Sequence, residues 1–242
     1  MCTVTFIPSN QGIILTSNRD EKHWRAAATP PEIYSLSSGR IIFPKDGDAG
    51  GSWIAIHQNG NAVIFLNGGF VSHVPQPPYR KSRGLILLDL INNDAPIRSF
   101  EKISLEGIEP FTAVIWCDEK LFECRWDGRK KYQVELPRDV SHIWSSATLY
   151  DGVTVTKRKI WFEEWLQTHP NPNQDEIMHF HQFTGDGDKH NDLMMNRDGK
   201  VFTVSVTSAF IGGGKIHTQY LDVKTSAKKE KNLHIINPTM KA

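Results

Sequence analysis

The sequence reads as an α+β protein in which antiparallel sheets are covered by helices. Two observations carry this: its elements come in blocks, and its strands come in hairpins. Strand-like runs open the chain, two helical patterns follow, then strands, two more helices and strands again. That order suits antiparallel sheets under helices rather than the strict alternation of a parallel sheet. Turn signals at Gln11-Gly12, Asn59-Gly60, Asp118-Glu119 and Gly212-Gly213-Gly214 each separate two strand-like runs, as hairpins require.

Residues 3–7 alternate, and residues 13–16 resume an apolar β-branched run after Gln11-Gly12. Residues 53–56 and 62–66 flank Asn59-Gly60 as a second and stronger hairpin. Residues 82–92 carry Leu85, Leu88 and Ile91 at helical spacing, with Ser82 able to cap the first turn. Residues 95–103 form a second, short helix. Residues 112–116 and 121–126 make a hairpin around Asp118-Glu119, and residues 131–136 follow as the next strand. Residues 156–168 read as a helix with Ile160, Trp161, Trp165 and Leu166 on one stripe and Pro170 beyond its end. Residues 175–183 read as another. Residues 201–210 and 215–223 are strands around the triple glycine, and the basic stretch 224–231 reads as an exposed tail before a last apolar run at 233–236.

With 242 residues, 39% of them apolar and 23% charged, a single globular domain spanning residues 1–242 is expected. A net charge of +1 gives no electrostatic reason to expect nucleic acid or an anionic membrane as partner. The longest apolar stretch, residues 84–91, is far below the roughly 20 residues that cross a bilayer. The start lacks a basic leader followed by an apolar run. Three cysteines, Cys2, Cys117 and Cys124, do not make a disulfide framework, so a reducing, cytoplasmic setting is expected. Nothing in the pattern calls for a cofactor, and a homo-oligomer is left open.

Cys2 is the first residue that could do chemistry. Removal of Met1 would leave it with a thiol and a free α-amine on one residue. An α-amine titrates near pH 7.7–8.0, so about neutral pH a useful fraction is free to accept the thiol proton. Ser17-Asn18-Arg19-Asp20-Glu21 follows the second predicted strand, and a hairpin of this length returns residues 18–20 beside the chain start. A carboxylate there holds an α-ammonium, and a guanidinium lowers a thiol pKa or anchors an anionic group. Read alone, the same cluster is a solvated charged turn. Asn67, at the end of an apolar strand, can donate to a developing oxyanion, while Gly68 and Gly69 let a ligand approach the backbone.

Met1-Cys2-Thr3, Asn18-Arg19-Asp20-Glu21, Arg25-Ala26-Ala27 with Pro30, Gly50-Gly51-Ser52-Trp53 and Leu66-Asn67 resemble the opening pattern of the NRDE family, also called the Transport and Golgi organisation protein 2 family. Order and spacing agree over about the first 70 residues, and Trp144-Ser145-Ser146-Ala147 adds a weaker likeness. The same opening is more distantly similar to bile-salt hydrolases and penicillin V acylases. That resemblance implies an αββα sandwich, two stacked antiparallel sheets between helical layers. It implies Cys2 as nucleophile, Asp20 as holder of the α-amine, Asn67 as oxyanion donor and a small-molecule amide as substrate. Arg19 would tune the thiol, with Asn18, Gly68 and Ser146 lining the substrate site. Three departures stand out. Ser17 occupies the slot of the hydrolases' arginine, Ser146 stands where NRDE relatives show an asparagine, and Thr203-Val204-Ser205 lacks the arginine of a Gly-Thr-Arg-type strand. The eukaryotic relatives also imply a second reading, a haem-binding, lipid-binding or trafficking protein on the same scaffold.

His179, His181, Asp186, Asp188, His190 and Asp192 include metal-capable groups, but histidines two apart on a helix face different ways. An exposed loop is the expected reading, with no metal site. Cys117 and Cys124 are expected to be buried small hydrophobes, and Trp161 and Trp165 to pack in the core.

Overall fold

The computed structural model describes residues 3–236. In chain order its elements are β1 (Thr3–Ser9), β2 (Gly12–Lys22), β3 (Thr29–Leu36), β4 (Gly39–Lys45), β5 (Ile54–His57), β6 (Ala62–Asn67), α1 (Arg83–Ile91), α2 (Pro96–Lys102), β7 (Phe111–Cys117), β8 (Lys120–Trp126) and β9 (Lys131–Leu136). These are followed by β10 (His142–Ser145), α3 (Gly152–Thr168), α4 (Gln174–Phe183), β11 (Asn196–Arg197), β12 (Val201–Gly212), β13 (Lys215–Asp222) and β14 (Lys228–His234). One sheet runs β10-β1-β2-β12-β13-β14, with β11 on β12, and the other is a meander from β3 to β9. The pairings are antiparallel.

Period-two alternation builds the layers. Val4, Phe6, Ile13 and Leu15 point between the sheets and meet Ile42, Ile54, Ile56, Ile64 and Leu66 from the other sheet. Ile7 and Ile14, on the opposite faces of β1 and β2, pack on Phe162 of α3 and on Ile177 and Phe180 of α4. On the far side, Phe43, Ala55, Val63 and Phe65 pack on Ile86, Leu87 and Leu90 of α1 and Phe100 of α2. The result is the αββα sandwich. Ser82 caps α1 by accepting from the Leu85 N–H, as its position suggests.

Several elements differ from expectation. β2 does not stop before Ser17: it pairs with β12 along its whole length, from Lys22 against Val201 to Gly12 against Gly212. Residues 17–20 are therefore a buried, charged stretch of strand rather than a turn. β3, β4 and β10 carried no clear signal. The basic stretch 224–231 is not a free tail, because β14 closes the sheet as an edge strand, with Leu233 opposite Ile216; its lysines suit an edge that must not recruit another chain. In α3 the inward residues are Thr154, Arg158 and Phe162, whereas Ile160 is exposed and Trp161 lies half-buried beside Lys157. Trp165 does pack against the α3–α4 core. His179 and His181 lie on α4, not in a loop, and His181 is fully buried.

Phe6 is fully buried between the sheets, its ring 5.7 Å from that of Trp116. Phe6→Ala opens a cavity there and is expected to lower the unfolding free energy by about 3–5 kcal/mol. Urea denaturation checks this; a loss under about 1 kcal/mol would mean that the inter-sheet core does not carry the fold.

Candidate active site

The open end of the β1–β2 hairpin sets the geometry. Thr3 pairs with Asn18 on one side and with Ser145 on the other. Just beyond β10, Ser146 Oγ donates to the backbone carbonyl of Asn67 at 2.9 Å, joining the end of one sheet to the end of β6 in the other. Beside this joint lies a cleft of about 800 Å³ whose walls include Arg19, Asp20, Trp53, Asn67, Arg83, Glu109 and Thr148.

Asp20 is buried, and both carboxylate oxygens are engaged. Tyr150 donates its hydroxyl to Oδ2 at 2.8 Å, and Thr203 donates to Oδ1 at 2.6 Å. The Thr203 oxygen itself accepts the Met195 N–H at 3.0 Å, which directs its proton towards Asp20. Two cations approach the Tyr150 ring, the Arg158 guanidinium 3.7 Å and that of Arg197 5.4 Å from its centre. Tyr150 and Thr203 stand 130 and 183 residues from Asp20, so no local sequence pattern links either of them to it.

Arg19 projects between the sheets, its guanidinium 4.6 Å from the centre of the Trp53 ring. It pairs with Asp46 at 2.5 Å, and Arg25 pairs with the same carboxylate at 2.8 Å. Burial alone would raise the Asp46 pKa. The Ala49 N–H and the two guanidinium groups outweigh it and hold the carboxyl below its usual range. Arg19 therefore lines the cleft with part of its charge already answered.

Asn67 lines the cleft from the end of β6, and its side-chain amide has no hydrogen-bond partner among the described residues. Gly68 adopts φ +85°, and a Cβ there would stand 2.9 Å from Thr148 Cγ2. Its N–H donates to the Pro110 carbonyl at 3.0 Å, so this glycine lets Ala147 and Thr148 pack closely against the end of β6 and is not a free donor.

Asn18 and Ser146 do not line the cleft. Asn18 shares its face of β2 with Ile14, towards the helices, where it donates to the Leu193 carbonyl at 2.7 Å and meets His181 Nδ1 at 2.6 Å. Ser146 is buried and committed to the Asn67 carbonyl. Both stand behind the cleft wall, and Gly68, also expected at the substrate site, is not in that wall either. Cys2 lies outside the described residues. Cys117 and Cys124 are free and buried; burial and the nearby Asp118 push the Cys117 thiol up to about 11, and burial and Glu123 push Cys124 further up.

His181 shows how deep the polar layer runs. Asn18 Oδ1 can only accept, so His181 Nδ1 carries the proton and Nε2 accepts from Thr5 Oγ1 at 2.8 Å. Burial, with the Arg158 charge adding to it, pushes the His181 pKa down to about 3. Elsewhere on the cluster singled out for metal-capable groups, Lys157 pairs with Asp186 and His190 with Asp198. Among the described residues no group of three or more His, Cys, Asp or Glu is arranged to hold a metal ion, and no helix is long and apolar enough to cross a membrane.

Two stacked antiparallel sheets between helical layers, with the cleft at the strand ends, define the fold of the N-terminal-nucleophile hydrolases. Solved structures agree. An N-acylethanolamine-hydrolysing acid amidase orthologue from Caenorhabditis elegans superposes with a TM-score of 0.62 at 11% identity, over 86% of this chain and 92% of that one. A cysteine-to-alanine mutant of the conjugated bile acid hydrolase from Clostridium perfringens gives 0.57 at 9% identity over 98% of both chains. A second variant of that hydrolase gives 0.60 at 8% identity, over 96% of this chain and 92% of that one. At such identities the likeness is one of fold. Comparison with curated proteins finds no match. The chain belongs to the Transport and Golgi organisation 2 family, whose pattern it matches over residues 1–236.

The His181 shift has a consequence for stability. The folded pKa lies below the unfolded value of about 6.5, so the unfolded chain takes up the proton first. Stability from the neutral ring is full above about pH 6.5 and is lost as pH falls towards 3. Urea midpoints measured from pH 7.5 to 4 should fall less steeply in His181→Asn than in the unaltered chain. Parallel slopes would show that His181 does not titrate on unfolding.

Proposed function

We propose that the chain, as one domain, is a cysteine N-terminal-nucleophile hydrolase that cleaves a small-molecule, non-peptide amide of the acyl amidase type. Cys2 is the nucleophile once Met1 is removed, and the setting is cytoplasmic. The observation that carries this reading is Asp20: a buried carboxylate with two fixed donors, in the cleft wall, two residues along β2 from the register partner of Thr3. Cys2 immediately precedes Thr3 in the chain.

In this reading the α-amine of Cys2 accepts the thiol proton, and the sulfur forms a bond to the amide carbon. The carbonyl oxygen takes the negative charge and receives hydrogen bonds from the Asn67 amide and a backbone N–H. Collapse breaks the carbon–nitrogen bond; the leaving amine departs with the proton held on the α-amine, and a thioester remains. A water gives its proton to the α-amine as its oxygen attacks the thioester, and the acyl group leaves as a carboxylic acid while the thiol is restored. Asp20 holds the α-amine in place through both steps. Arg19 provides a nearby cation that favours the thiolate, moderated by Asp46. The side-chain amide of Asn67, without a partner among the described residues, supports its part as donor.

Intact mass should show loss of Met1. Iodoacetamide should then label Cys2 at least about ten times faster than Cys117 or Cys124, whose thiols are buried and raised in pKa. On a panel of acyl amides, Cys2→Ala should lower turnover by at least about a thousandfold. Retained Met1, or turnover indifferent to Cys2→Ala, rules the reading out.

A further inference from the structure

Arg158 of α3 is a fully buried cation, and among the described residues no carboxylate pairs with it. Its hydrogen bonds among the described residues go to neutral oxygens: Nη1 to Thr3 Oγ1 at 2.5 Å, Nε and Nη2 to the Asn191 carbonyl at 3.1 and 3.0 Å, and Nη2 to the Asp192 carbonyl at 2.7 Å. A buried charge without a counter-ion is expensive, and neutral acceptors satisfy its protons but not its charge. The guanidinium also stacks 3.7 Å from the centre of the Tyr150 ring, a contact that holds the ring plane and so the direction in which the hydroxyl reaches Asp20. One side chain thus grips the first described residue of β1 and steers the donor to the carboxylate of the cleft.

We propose that Arg158 is a positioning residue for the N-terminal reaction centre, acting on β1 through Thr3 and on Asp20 through Tyr150. The inference rests on the nucleophile reading above and adds a residue that does not line the cleft and that neither motif nor spacing marks. Its charge is felt across the layer, since it helps to depress His181. The titratable residues it touches or acts on are Tyr150 from the segment before α3, Asp192, whose backbone carbonyl it holds, and His181 from α4, while Asp20 from β2 and Arg197 from β11 meet it through Tyr150. The cation favours negative charge at the strand end, so its removal raises the midpoint at which a thiol there ionises.

The test follows Cys2 alkylation by iodoacetamide against pH, together with kcat and KM on the best amide substrate, in the full chain. Arg158→Met should raise the alkylation midpoint by about half a pH unit or more and lower kcat at least about tenfold with KM little changed. Arg158→Lys keeps the charge but not the planar contact with Tyr150, so it should keep the midpoint and lose part of kcat. Tyr150→Phe should lower kcat, and the double variant Arg158→Met/Tyr150→Phe should be no worse than the worse single variant, because both act through one contact. If Arg158→Met does not fold, Arg158→Lys and Tyr150→Phe decide, and wild-type kcat in both overturns the proposal. An activated wild-type thiol with an unchanged Arg158→Met midpoint and kcat, or losses that multiply in the double variant, also overturns it while leaving the nucleophile reading standing. An ordinary thiol midpoint in the unaltered chain removes that reading and this inference together.

Discussion

An internal strand must find partners for the backbone N–H and C=O groups it carries; β2 pairs with β12 from Gly12 to Lys22 and with β1 from Gly12 to Asn18. The site depends on that constraint. Because pairing continues past Ser17, Arg19 and Asp20 are carried into the sandwich instead of being left in water, and each ionised group must then be answered from elsewhere in the chain. Asp46 and Trp53 answer Arg19 from the connection between β4 and β5; Tyr150 and Thr203 answer Asp20 from the segment before α3 and from β12. Strand alternation sends the two neighbours to different layers, so one short sequence faces both the inter-sheet space and the helices.

The cleft that results is polar but mostly self-compensated. Arg19 and Arg25 share Asp46, and His73 and Arg83 share Glu109. Such pairing keeps polar and charged side chains at fixed positions near a low-dielectric interior, where their directions matter more than their sum. It also explains why a net charge of +1 says little about what the cleft binds.

The fold was legible where hairpins are local. The pairs around Gln11-Gly12, Asn59-Gly60 and Asp118-Glu119, and the helix capped by Ser82, can be read from a dozen residues each. β3 could not, because Pro30 and Pro31 fall at a register irregularity between Thr29 and Glu32, a place where a strand tolerates proline. β14 was hidden by lysines that belong to an edge. In α3 the stripe drawn through Ile160 missed the inward face because Arg158, a charged residue, occupies its middle. Of the site residues, Arg19, Asp20 and Asn67 line the cleft. Asn18 does not, and the alternation that places Ile14 against the helices could have shown it. Tyr150 and Arg158 left no sequence signal, because the bonds that tie them to Asp20 and to Thr3 span more than a hundred residues of chain.

A final consequence concerns how the helical layer is seated. Two apolar surfaces can slide past one another by a turn with modest loss, whereas a directional donor and acceptor match in only one alignment. His181 engages Thr5 and Asn18 at once, and Arg158 reaches Thr3 from the neighbouring helix. These bonds work as keys in a lock plate: α3 and α4 have one docking position on β1 and β2, and creep of that layer would have to break several of them together.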